Sequence, residues 1–208
     1  MNLPNKLTTS RFGFALLLLL CLTFSFPGSK TLALLLFLVA SATDWLDGYL
    51  ARTKYGVTAF GKLMDPLADK VLVTVALVSF VEIRFDPGHP ESPLVPALLV
   101  VPILFREFMV TGLRLLAVEQ GQILSAGPLG KWKTALQMGA IIFTLFALAL
   151  VEDWLPEMEG TTLTSIHFTL HWMIWGLMAG AAGMTLISGW DYFSKNRSLL
   201  HPPSNEDS

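Results

Sequence analysis

Charge is scarce in this 208-residue chain. Asp, Glu, Lys and Arg together make up 14% of it, while hydrophobic residues make up 53%. Soluble domains are charged at about a quarter of their positions. Mean hydropathy is +0.58. So few charges cannot coat a soluble globule of this length, so the chain reads as a polytopic membrane protein. Cysteine is almost missing: Cys21 stands alone in an apolar run. That excludes an internal disulfide and a thiolate metal site. A basic excess is also missing. The net charge of −2 argues against a nucleic-acid footprint. No A-x-A-like exit follows the first apolar run, which ends at Phe26-Pro27-Gly28; no cleaved signal peptide is expected. Length predicts one domain, residues 1–197, with a polar tail at 198–208.

What is abundant is apolar sequence in blocks. Phe12–Phe26, Thr31 to about Leu50, about Leu63 to Ile83, Leu94 to about Val118, Lys131–Val151 and Ser165–Gly189 are such blocks. Each approaches the ~20 residues a helix needs to cross hydrocarbon. They predict an all-α integral membrane fold of six transmembrane helices. A short interfacial helix is expected before them, within Met1–Arg11. Polar connections are expected at Glu119–Gly130 and Glu152–Thr164, with the tail starting at Trp190. Six spans put both termini on one side. Lys6, Arg52, Lys54, Lys62, Lys131, Lys133, Lys195 and Arg197 fall on that side; Lys30 and Arg84 fall on the other, with most loop acids. The positive-inside rule makes the terminal side cytoplasmic.

Acid is concentrated between Asp44 and Asp69. Asp44 and Asp47 are spaced i, i+3; Asp65 and Asp69 are spaced i, i+4. On helices each pair shares a face. One Asp at the end of a span is an ordinary helix cap. Four in paired spacing beside hydrocarbon are costly and mark a site. They cannot neutralise one another. A hard divalent cation, which prefers oxygen ligands, or basic side chains must do so.

The full pattern is D-x2-D-G-x2-A-R-x8-G-x3-D-x3-D, through Gly48, Ala51, Arg52 and Gly61. It resembles the motif of the CDP-alcohol phosphatidyltransferase family with no position missing. The opening Pro4, Asn5, Leu7, Thr8 and Arg11 is similar to that family's P-N-x-L-T-x-x-R. The resemblance implies a membrane transferase acting on CDP-diacylglycerol. It implies Mg²⁺ or Mn²⁺, as two ions, on Asp44, Asp47, Asp65 and Asp69, which would clamp the pyrophosphate and stabilise the leaving CMP. It also implies that Asn5, Thr8, Gly48, Ala51, Arg52 and Gly61 bind the CDP-lipid. The family pattern makes Asp69 the general base on the acceptor hydroxyl; spacing alone does not choose it.

Arg106, Arg114, Lys131 and Lys133 form a second, basic set. Arg106 stands midway through an apolar run, and its ordinary role would be a salt bridge to Glu107 or a motif aspartate. As a cluster the four suit a phosphate. The segments R-E-F-M-V-T-G-L-R and G-K-W-K-T-A-L-Q resemble the branch of the family whose acceptor is sn-glycerol 3-phosphate, with phosphatidylglycerophosphate as product. A bacterial inner-membrane enzyme with a cytoplasmic site is then implied. Other readings stay open: another acceptor such as inositol phosphate, serine or a lipid, or an aspartate-rich prenyltransferase. A cation transporter fits less well, because its acids would sit at mid-membrane. His167 and His171, spaced i, i+4 at the opposite end, read as interfacial packing. Gly176-x-x-x-Gly180 allows close helix contact within the chain or in a homodimer.

Overall fold

A computed structural model describes residues 3–54, 59–85, 91–119, 127–155 and 161–197, with side chains for 10–43, 68, 70–85, 91–118, 127–155 and 162–197. The described residues form six α-helices: α1 Leu3–Thr23, α2 Ser29–Lys54, α3 Ala59–Glu82, α4 Ala97–Glu119, α5 Pro128–Leu148 and α6 Thr161–Lys195. A π-helical segment, Ala149–Trp154, extends α5. The one β-bridge among them joins Arg84 to Pro93.

Several boundaries differ from the sequence-based expectation. No separate interfacial helix precedes the first span; α1 runs unbroken from Leu3. Between Asn5 and Arg11 there is neither Pro nor Gly to stop it, and Pro4 falls in the first turn, where its missing N–H costs nothing. Glu152, Asp153 and Trp154 are not loop residues but belong to the π-helical segment. The tail does not begin at Trp190, since α6 continues to Lys195. Among the described residues two helices are long and apolar enough to span a membrane, Pro128–Trp154 and Thr162–Lys195; Ser10–Thr23 and Ser29–Thr43 are shorter apolar stretches. The other helices carry charge inside them, as α4 does at Arg106, Glu107 and Arg114.

The packing follows the buried stripes. On α6, Ile174, Met178, Ala181, Thr185, Ser188 and Tyr192 are buried. Their alternating spacing of four and three is the seam of a helix packed lengthwise on its neighbours. α6 lies on α4 and α5, α1 lies on α2 and α3, and α2 meets α5. Phe37, Leu77, Phe80, Ile103, Ile141 and Ile174 fill the centre with no exposed surface. The outward faces are also apolar: Leu98 is 83% exposed and Phe105 68%. A helix apolar on both faces suits a hydrocarbon surround. Gly180 faces inward enough that a Cβ there would touch the Leu136 side chain at 3.8 Å, so that half of the G-x-x-x-G pair serves contact with α5.

One end of the bundle is tied by polar contacts. Gly28, with φ +81°, makes the turn from α1 to α2, a conformation natural only to glycine. Lys30 is buried there and donates to the Leu22 carbonyl at 3.0 Å, satisfying an orphan acceptor at the end of α1. The Asp153 carboxylate accepts from the Thr31 backbone N–H at 2.6 Å and from its hydroxyl at 2.7 Å. An anion at the first turn of α2 is favoured by the helix dipole. Trp154 Nε1 donates to the same hydroxyl at 2.9 Å. His167 Nδ1 lies 2.9 Å from the Phe85 carbonyl, and the buried His171 stacks on Trp175 with ring centroids 5.2 Å apart. Both histidines therefore pack, as expected.

Candidate active site

At the other end the buried stripes turn polar. On α5 the stripe opens with Lys133 and Gln137 before Ala140 and Ile141. On α4, Arg106 takes a core position between Ile103 and Val110. On α6 the stripe passes from Ala181 to Thr185, Ser188 and Tyr192. Burying such groups is costly unless they are paired, and the pairing here is specific.

The polar ends surround a cavity of about 1150 Å³ reaching from α1 to α5. Arg106, Arg114, Lys131 and Lys133, the four basic residues predicted to hold a phosphate, all line it. Arg11 and Lys70 join them. Glu107 is the one acid among the described lining residues. Among the described lining residues six cations face one carboxylate, a basic wall suited to an anionic group.

Glu107 organises the cations. Its Oε2 accepts from Lys70 of α3. Its Oε1 pairs with Lys133 of α5 and lies 3.9 Å from Arg106 Nη1. Three helices are thus clamped by one carboxylate. The sequence reading gave Glu107 only to Arg106; the structure gives it chiefly to the two lysines. Arg106 instead donates from Nη2 to the Ser188 hydroxyl at 2.7 Å, and its Nε finds no acceptor among the described residues. Arg114 donates from Nε to the Tyr192 hydroxyl at 3.3 Å, with its guanidinium carbon 5.5 Å from the ring centre.

The motif helices form the rest of the wall. Ala40 and Ser41 of α2, just before Asp44, line the cavity, as do Ala68 and Lys70 of α3 on either side of Asp69. Asp44, Asp47, Gly48, Ala51 and Arg52 lie in the second half of α2, and Gly61, Asp65 and Asp69 in the first half of α3. Asn5 and Thr8 lie in the first turns of α1. The side chains of these ten residues lie outside the described set. Lys70, Ser188 and Tyr192 were not singled out from the sequence. The signal for the last two was the 4-3-4 spacing of small and hydroxylated residues running past Gly189.

Comparison with known proteins bears on this arrangement. A model of the family described as CDP-alcohol phosphatidyltransferase matches residues 1–188. The chain is 39% identical over 211 residues to the CDP-diacylglycerol–glycerol-3-phosphate 3-phosphatidyltransferase of Bacillus subtilis (strain 168), covering 96% of this chain and 97% of that one. It is 33% identical over 223 residues to the protein of the same name from Cereibacter sphaeroides, covering 93% and 95% of the two chains. With that of Rickettsia bellii it shares 34% identity over 192 residues, covering 92% and 93%.

Proposed function

This chain belongs to the CDP-alcohol phosphatidyltransferase family, and we propose that it transfers the phosphatidyl group of CDP-diacylglycerol to sn-glycerol 3-phosphate. The products are phosphatidylglycerophosphate and CMP, a step of phospholipid synthesis. One observation carries the choice of acceptor: Arg106, Arg114, Lys131 and Lys133, from two helices, line one cavity whose wall continues into both motif helices. Glycerol 3-phosphate carries roughly two negative charges near neutral pH. Placing it beside four carboxylates requires protein cations, and this cavity supplies them. The names of the relatives support the same acceptor.

In this reading the acceptor phosphate sits among the arginines and lysines, and its primary hydroxyl is presented to the first half of α3. The Asp69 carboxylate takes the proton as that oxygen attacks the phosphorus on the lipid side. The new P–O bond forms as the bond to the CMP oxygen breaks. Arg52 holds a phosphate oxygen of the CDP-lipid, and Asn5, Thr8, Gly48, Ala51 and Gly61 shape the surface it lies on. The oxygen donors of Asp44, Asp47, Asp65 and Asp69 suit Mg²⁺ or Mn²⁺, two ions in this reading. Such ions would neutralise pyrophosphate charge and stabilise the leaving oxygen.

The helices are read as six membrane spans in the cytoplasmic membrane of a bacterium, with the cavity open to the cytoplasm, where nucleotides are. The test is acceptor choice by the purified protein. Glycerol 3-phosphate should support CMP release. Release with serine or inositol 1-phosphate, and none with glycerol 3-phosphate, would leave the family intact and overturn the acceptor.

A further inference from the structure

We infer that Ser188 and Tyr192 of α6 are positioning residues, which orient the guanidinium groups of Arg106 and Arg114 for the acceptor phosphate. The inference rests on the acceptor reading above and adds a third helix to that site.

The geometry is paired. Ser188 and Tyr192 are one helical turn apart on the buried seam of α6. Arg106 and Arg114 are two turns apart on α4, which packs against it. Ser188 Oγ accepts from Arg106 Nη2 at 2.7 Å. The Tyr192 hydroxyl accepts from Arg114 Nε at 3.3 Å, and its ring stands 5.5 Å from the guanidinium carbon. Between them, Gly189 lets the Arg106 stem through: a Cβ at 189 would lie 2.9 Å from Arg106 Cγ. About one turn of α6 thus supplies a hydroxyl, a gap and a phenol, each against an arginine of the cavity wall.

Chemistry explains why such supports matter. Arginine binds phosphate best as a planar fork, with two parallel N–H···O bonds. Its long stem has many rotamers, so an unsupported fork loses entropy on binding. A neutral hydroxyl that takes one N–H fixes the plane and leaves the guanidinium charge undiminished. A carboxylate in the same place would fix it too, but would cancel the attraction for an anion. Tyr192 takes Nε of Arg114, so the fork formed by its two Nη groups is the edge left for paired phosphate oxygens. The carboxylate of the cavity, Glu107, is directed chiefly to the lysines, which bind phosphate as point charges and need no fixed plane.

The test uses the full-length protein in detergent or nanodiscs, with steady-state kinetics in both substrates. Ser188→Ala and Tyr192→Leu should each raise KM for glycerol 3-phosphate about 5- to 10-fold, the scale of one ordinary hydrogen bond. KM for CDP-diacylglycerol and kcat should stay within about twofold. Tyr192→Phe keeps the ring and should fall between wild type and Tyr192→Leu. Ser188→Thr should recover the wild-type KM. In an Arg106→Ala background, Ser188→Ala should add nothing, because the two act as one unit. If Tyr192→Leu fails to fold, Tyr192→Phe and Ser188→Ala carry the test. Suppose Arg106→Ala and Arg114→Ala raise the acceptor KM while folded Ser188→Ala and Tyr192→Phe do not. The positioning role is then overturned and the acceptor site stands. If the arginine variants leave that KM unchanged, the acceptor site is overturned and the positioning role falls with it. A parallel loss of kcat and of both affinities in Ser188→Ala would show a purely structural hydroxyl and overturn the proposal.

Discussion

Lys133 of α5 and Glu107 of α4 form an ion pair across the wall of the cavity, with the lysine side chain only 3% exposed and the carboxylate 13%. The carboxylate also holds Lys70, whereas the described ion pair of Lys133 is with Glu107 alone. The pair is therefore asymmetric in what its loss leaves behind. Glu107→Gln strands Lys133 in a buried position. Removing one partner of a buried pair costs about 3–5 kcal/mol, and most of that is expected here. Lys133→Met leaves Glu107 with Lys70 and should cost less. Thermal unfolding in a fixed detergent checks the order. A Glu107→Gln protein as stable as Lys133→Met would contradict it. The double variant should recover part of the loss, since the buried ammonium of Lys133 is then no longer present.

A divalent ion on the motif aspartates predicts a shared phenotype for Asp44, Asp47 and Asp65. Replacing any one by Asn should nearly abolish CMP release while the protein still inserts and purifies. In the wild type, EDTA should stop turnover, and added Mg²⁺ or Mn²⁺ should restore it. Near-normal turnover by Asp47→Asn in the presence of EDTA would remove the metal from the reading.

Asp69 is expected to act on the acceptor proton rather than chiefly on binding. A general base contributes about 10²–10⁴-fold to rate. Asp69→Asn should therefore lower kcat by that order and change affinity for CDP-diacylglycerol little. Single-turnover kinetics with a separate binding measurement would separate the two. Weaker lipid binding at unchanged kcat would exclude the base.

Six spans with cytoplasmic termini predict that Ser92 and Ser204 lie on opposite sides of the membrane. A cysteine at each position, in a Cys21→Ser background, can be labelled with an impermeant maleimide in intact cells. Cys21 is buried in any case. Cysteine at 92 should label from outside and cysteine at 204 only after permeabilisation. Labelling of both from one side would require an even number of spans between them and would contradict the three of this reading.

The linear sequence by itself determined the family, and it set apart two groups of residues, one acidic and one basic. Asp44 to Asp69 could be read because the information is local: a helical spacing of three or four places carboxylates on one face whatever the rest of the chain does. The basic set was legible because charge inside apolar sequence is costly and conspicuous, as at Arg106. Helix ends were less so. The extra turn of α6 through Tyr192 and the π-helical Glu152–Trp154 depend on partners far along the chain, Arg114 in one case and Thr31 in the other. Only the tertiary structure decided who pairs with whom. Glu107 has Arg106 beside it in sequence, yet its close partners, Lys70 and Lys133, are 37 and 26 residues away on other helices. Periodicity says which face of a helix is buried, but not which residue on a neighbouring helix that face will meet. That is set by how whole helices rotate and slide to fill the core, and it put Ser188 and Tyr192 behind the two arginines.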